Sequence, residues 1–138
     1  MASIRKEIVI DTPPEKVWDA IRDVGALHER LVPGFVVDTQ LEDGARIVTF
    51  GNGMVARELI VDVDDEQRRV AWSVVGGRMT HHNASAQVSP EGAGCRFVWI
   101  ADLLPHELAP VITTMIEQGM AVIKKTLEQT EREQARVA

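Results

Sequence analysis

PHELAPVITTMIEQGMAVIKKTLEQ, residues 105–129, is the stretch that decides the fold. Leu108, Ile112, Met115, Ile116, Gly119, Ile123 and Leu127 recur at steps of three and four, which lines side chains along one face of an α-helix. The spacing predicts one long helix over Pro105 to Gln129, following sequence that reads almost entirely as strands. Gly119 interrupts the stripe, and a glycine in a helix interior costs about 1 kcal/mol relative to alanine. Met115 and Met120 flank it. The expectation is that the helix closes over a ligand cavity and that Gly119 leaves room there.

Upstream, Ile4, Lys6, Ile8 and Ile10 alternate with Arg5, Glu7, Val9 and Asp11, a period-two pattern that predicts a strand over 3–11. The pattern breaks at Asp11-Thr12-Pro13-Pro14-Glu15. Thr12 reads there as a helix N-cap, with prolines in the first turn and Glu15 as capping-box partner. A helix over 13–23 follows, with Val17, Trp18 and Ile21 on its apolar side and Trp18 packing it on the sheet. A second short helix, Val24 to Arg30, ends before Pro33-Gly34, so the two form a V-shaped pair. Strands are then expected at Phe35–Leu41, Arg46–Phe50, Met54–Val63, Arg69–Val75, Thr80–Val88 and Cys95–Leu103. Glu42-Asp43-Gly44, Gly51-Asn52-Gly53, the acidic run Asp64 to Gln67 and the segment Pro90 to Gly94 mark turns between them. Seven antiparallel strands with segregated helices make an α+β fold. A chain of 138 residues fits one domain over 1–138. Its polar tail, 130–138, is expected to fray.

Composition narrows the function. The net charge is −6 at pH 7, and the 15 Lys and Arg residues are scattered, so the basic footprint of a nucleic-acid binder is missing. No apolar run approaches the roughly 18–20 residues that span a bilayer, and MASIRKEIVI has no apolar core with a cleavage site. A cytoplasmic location and no membrane insertion are expected. The single Cys95, beside a glycine-rich turn, excludes an internal disulfide and a multi-cysteine metal site. His81 and His82 are adjacent, so a strand sends them to opposite faces and they cannot ligate one ion. No phosphate loop, nucleophile elbow or metal-ligand cluster is visible, and neither a metal nor a cofactor is expected.

The order of elements, with DTPPEKVWDAI (11–21) after the first strand, LVPGF (31–35) before the second, RELIVDVDDEQRRVAWSVVGG (57–77) and a final helix led by Pro105, resembles the START-related superfamily SRPBCC. The resemblance spans residues 3 to about 129. It implies a helix-grip fold, a seven-stranded antiparallel sheet curled around the C-terminal helix with a cavity for small apolar ligands between them. Within the superfamily the chain is most similar to small bacterial polyketide cyclase/dehydrase-like proteins and, more distantly, to plant abscisic-acid receptors. VAWSVVGGRMTHHN (70–83) is similar to the receptors' strand and latch loop, and Glu58 aligns with a cavity-facing glutamate there. Two departures stand out. The receptor-type gate loop shrinks to Gly51-Asn52-Gly53, and the cavity lysine of the second strand has no counterpart among Phe35 to Leu41.

If Glu58 faces inward, alternation puts Met54, Ala56 and Ile60 with it and sends Arg57 and Leu59 outward. A desolvated carboxylate on an apolar wall serves as acid, base or hydrogen-bond acceptor. The competing reading is a sheet-surface glutamate paired with Arg46 or Arg69. His82, inward with Ala84 and Ala86, is either a proton shuttle near pH 7 or a half-buried histidine bonded to a backbone carbonyl. Phe97 and Trp99 alternate toward the helix. Asp102, at the end of the seventh strand, points either into the cavity mouth or, the favoured reading, at solvent. The expected lining is Val37, Leu41, Met54, Ala56, Glu58, Trp72, Ala84, Ala86, Trp99, Ile112, Met115, Gly119 and Ile123. The favoured expectation is a binding module for a small hydrophobic molecule such as a lipid, polyketide or aromatic. A second is a polyketide cyclase/aromatase or dehydratase that moves protons with Glu58 or His82. A third is a structural or stress-related homodimer with a filled cavity.

Overall fold

The computed structural model describes residues 2–137. Strand β1 (Ala2–Ile10) leads into helix α1 (Pro14–Arg22) and a π-helical turn, Leu27–Leu31. Strands β2 (Val36–Glu42), β3 (Ala45–Phe50), β4 (Val55–Asp64), β5 (Arg69–Val75), β6 (His81–Glu91) and β7 (Gly94–Leu104) follow. A short 3₁₀ turn, His106–Leu108, precedes helix α2, Ala109–Val137. The strands form one antiparallel sheet in the order β1-β7-β6-β5-β4-β3-β2. The helical pair after β1 carries the chain from one edge of this sheet to the other, where β2 starts the meander back. This is the expected helix-grip architecture.

The apolar stripe of α2 buries Ile116, Gly119, Met120, Ile123 and Leu127. Ile116, Met120, Ile123 and Leu127 join one core with Ile10, Val17, Trp18, Val88 and Phe97, each large buried side chain contributing roughly 1.5–3 kcal/mol. The C-terminal half of α2 is tied to the end of β1. Lys124 Nζ donates to the Val9 carbonyl at 2.8 Å, and Glu128 Oε2 accepts from the Asp11 amide at 2.8 Å. Trp18 Nε1 donates to Asp65 Oδ1 at 2.9 Å, joining α1 to the β4–β5 turn. No helix of the described residues is long and apolar enough to cross a membrane.

Three local expectations change. Thr12 does not cap α1: Pro13 holds the N-cap position with no side-chain hydrogen bond. The Thr12 hydroxyl, 3% exposed, donates to the Leu127 carbonyl at 3.2 Å, because a buried hydroxyl takes the partner its packing offers. The second short helix is a single π-helical turn placed later, at Leu27–Leu31. Residues 130–137, expected as a polar tail, continue α2. Their Glu, Arg, Gln and Ala content favours a helix and no breaker intervenes.

Candidate functional site

A cavity of about 410 Å³ lies between the concave face of the sheet and the N-terminal half of α2. Trp72, Ala86, Phe97, Trp99 and Ala101 of the central strands line it, with Val48, Phe50 and Ala56 of β3 and β4. Ile112, Met115, Ile116 and Ile123 of α2 face them. Exposed Met54, Val55 and Val111, with the loop Gly76 to Met79, surround the mouth. Gly76 (φ 82°) and Gly77 (φ 70°) are both left-handed, a conformation that favours glycine. Trp72, Trp99 and Phe97 stack edge to face in sequence, with centroids 5.8 and 6.5 Å apart.

Polar groups cross this wall in one row. Arg46 pairs in register with Glu58, and Glu58 with Val74, so these neighbours share the inner face. Arg46 Nε donates to Glu58 Oε1 at 2.8 Å, the two side chains being 5% and 9% exposed. Arg46 Nη1 also donates to the Val24 carbonyl at 3.3 Å, and its guanidinium lies 5.6 Å from the Trp72 ring centroid. Glu58 is buried rather than on the sheet surface: it lines the cavity and is paired there with Arg46 of β3. Arg46, Val48 and Phe50 alternate along β3 and all line the cavity. That alternation was the available signal for Arg46, hidden because an arginine in a strand reads as solvent-facing.

His82 ends the row. The β5–β6 ladder stops at Trp72 and Ala84. Beyond it the Val74 amide donates to His82 Nδ1 at 3.0 Å, and Ser73 Oγ donates to the His82 carbonyl. The ring thus accepts from a backbone amide instead of bonding a carbonyl. With Nδ1 accepting, the proton sits on Nε2. Burial, assisted by neighbouring His81 and opposed by Asp102, pulls its pKa down to about 4. At pH 7 the ring is therefore neutral. Asp102 is half-buried in a shallow outer groove with His81 and His82.

The same burial makes stability pH-dependent. An unfolded histidine protonates near 6.5, whereas native His82 stays neutral to about 4. Unfolding therefore takes up a proton between those values, and stability falls as pH falls through this window. The expected loss is about 2 kcal/mol, less than the full shift implies because the ring borders water at the groove. In His82→Asn, the amide oxygen keeps an acceptor for Val74 and cannot titrate. Urea unfolding at pH 7 and pH 4.5 should show a smaller decline for this variant than for the wild type.

Four expected lining residues lie elsewhere. A bulge between Val36 and Asp38 reverses the alternation of β2, so Val36 turns inward and Val37 is 53% exposed. Leu41 shares a face with Arg46 but packs over Gly25, whose Cβ would stand 2.8 Å from Leu41 Cδ1, and it remains largely exposed. Ala84 is buried in the core without reaching the cavity. Gly119 leaves no space for a ligand. A Cβ there would lie 3.2 Å from Trp99 Cζ3 and 3.4 Å from Phe35 Cε2, so the glycine admits two aromatic rings against the helix. Met54, Ala56, Glu58, Trp72, Ala86, Trp99, Ile112, Met115 and Ile123 all line the cavity, and Arg46, Phe35, Val48 and Phe97 join them. Cys95 is fully buried, and that burial pushes its thiol up to about 11, away from reactivity.

Several known proteins are similar to this chain in sequence or in fold. MLP-like protein 423 of Arabidopsis thaliana is 25% identical over 119 residues, covering 74% of this chain and 77% of that protein. The structure of XoxI from Bacillus cereus superposes with a TM-score of 0.84 at 18% identity, covering 95% of this chain and 99% of that one. A START superfamily protein from Mycobacterium smegmatis superposes at 0.76 with 12% identity, covering 93% and 98%. Residues 1–132 match the family described as polyketide cyclase / dehydrase and lipid transport, and the chain belongs to that family within the SRPBCC superfamily.

Proposed function

We propose that the protein binds a small, mainly apolar molecule in the cavity between the sheet and α2. The observation that carries this reading is the composition of the wall: aromatic and aliphatic side chains surround about 410 Å³, interrupted inside the mouth only by the Arg46–Glu58 pair and neutral His82. Met115 and Met79 suit a site that adapts to its occupant. The family description, which includes lipid transport, supports the same class of ligand. A cyclase or dehydratase needs a proton carrier, and the two candidates are poorly disposed for it. Glu58 is engaged by Arg46, and His82, neutral near pH 7 with its pKa pulled down to about 4, has no imidazolium proton to give and is a weak base. Binding without covalent chemistry is therefore the stronger reading.

Native mass spectrometry of freshly purified protein tests it. The wild type should show a species heavier than the bare chain, released under denaturing conditions. Met115→Trp places a larger, rigid side chain in the roof and should weaken retention at least about tenfold, equivalent to about 1.4 kcal/mol, while circular dichroism stays unchanged. A wild type that carries nothing and takes up neither added naphthalene nor 2-naphthol would overturn the reading.

A further inference from the structure

We infer that the Arg46–Glu58 pair makes the cavity select uncharged molecules bearing a hydroxyl group over both plain hydrocarbons and carboxylates. This rests on the binding function proposed above and names the class of its ligand. Glu58 Oε1 accepts from Arg46, whereas no hydrogen bond reaches Oε2 from the described residues. No buried side-chain nitrogen or oxygen of the described residues lacks a partner, so Oε2 is not enclosed by protein. Glu58 borders the cavity and not the outer groove of His81 and Asp102, so this oxygen opens into the cavity. Arg46 Nε and Nη1 are occupied by Glu58 and Val24, and Trp72 lies beneath the guanidinium. Nη2, which makes no hydrogen bond to the described residues, opens toward the cavity by the same test, so a hydroxyl there can donate to Oε2 and accept from Nη2.

Each ligand class meets this constellation differently. A hydrocarbon that fills the cavity removes water from Oε2 and returns nothing, which leaves a desolvated carboxylate oxygen without a donor. A hydroxyl at the same point donates a charge-assisted hydrogen bond. A carboxylate brings a second negative charge beside Glu58, where the cation has already been neutralised. The remaining charged lining residue, Arg78, is exposed at the mouth. A pair formed there is screened by water and contributes little. An ammonium group faces the corresponding obstacle from Arg46. The chemistry recognised is a neutral, rigid apolar body with one hydroxyl, an alcohol or a phenol.

Isothermal titration calorimetry of the whole chain at pH 7 with 2-naphthol, naphthalene and 2-naphthoate tests this directly. The wild type should bind 2-naphthol at least about tenfold more tightly than either of the others, as expected for one hydrogen bond to a charged acceptor. The double variant Arg46→Met/Glu58→Leu keeps an apolar cavity and should bind naphthalene and 2-naphthol equally. Equal wild-type affinity for naphthol and naphthalene, or tighter binding of naphthoate, overturns the inference and leaves cavity binding intact. A hydroxyl preference that persists in the double variant overturns it as well, since the pair is then not its source. If none of the three compounds binds the wild type, the binding function itself falls and the inference with it.

Discussion

Glu58→Leu is expected to lower the free energy of unfolding by about 3 kcal/mol, whereas Arg46→Met/Glu58→Leu should unfold within about 1 kcal/mol of the wild type or above it. The asymmetry follows from desolvation. Both side chains are almost wholly withdrawn from solvent, so removing the carboxylate strands a guanidinium in an apolar wall. Breaking such a pair commonly costs about 3–5 kcal/mol, while replacing both partners by apolar residues of similar size is often neutral or stabilising. The low end applies here. Arg46 keeps its bond to the Val24 carbonyl and the face of Trp72, and water reaches the cavity through the mouth. A domain is commonly stable by about 5–15 kcal/mol, so the single variant should still fold. Urea unfolding of the wild type, both single variants and the double variant forms the required cycle. A double variant as unstable as Glu58→Leu would show that the pair's position, and not the unpaired charge, governs the cost.

The cycle also bears on why the pair is present at all. If its removal leaves stability unchanged, stability does not explain two charges facing a cavity, as expected for a pair retained to recognise a polar atom. The proposed hydroxyl preference and the stability cycle therefore interrogate the same two residues through independent readouts.

Much of this architecture was legible because it rests on periodicity. The stripe from Leu108 to Leu127 placed α2 on a sheet, and period-two runs between turn signals located the strands, usually to within one or two residues. What escaped has identifiable physical causes. A bulge changes which face a residue takes without changing composition, so Val37 looked inward and Val36 did not. Gly119 is required by the rings of Trp99 and Phe35, which approach α2 from distant segments, and no local pattern encodes that meeting. Thr12 has the right residue type and spacing for a cap, yet the arrival of Leu127 from the far end of the chain decides its partner. Glu58 was placed inward by family likeness where alternation left two choices open. Arg46 was one of its two candidate partners, and choosing it over Arg69 required the register of β3 on β4. Local signals thus set the elements, while the polar chemistry of the site depends on contacts between residues far apart in sequence.

Phe97→Ala carries the largest expected effect, a loss of about 3–5 kcal/mol in unfolding free energy. Phe97 is 1% exposed on β7, and its ring stands at 88° to that of Trp99. Its removal takes away the burial of a whole aromatic side chain, the edge-to-face contact, and support for the Trp99–Trp72 pair. Collapse cannot recover much of this, because Phe97 already borders the cavity and the vacated volume joins existing open space. Phe50→Ala is the discriminating control. Phe50 also lines the cavity and makes an edge-to-face pair with Phe35 at 5.6 Å, but it is only half-buried near the mouth. Truncating it should cost less than half as much. Urea unfolding compares the two, and equal losses would mean that the interior behind Phe97 is looser than its burial indicates. A ligand that fills the enlarged space should restore part of the Phe97→Ala loss in proportion to its binding, since a molecule bound only by the native state stabilises that state by mass action. Thermal unfolding of Phe97→Ala with and without 2-naphthol reads this directly, and a larger upward shift than in the wild type would connect the cavity's volume to its occupancy.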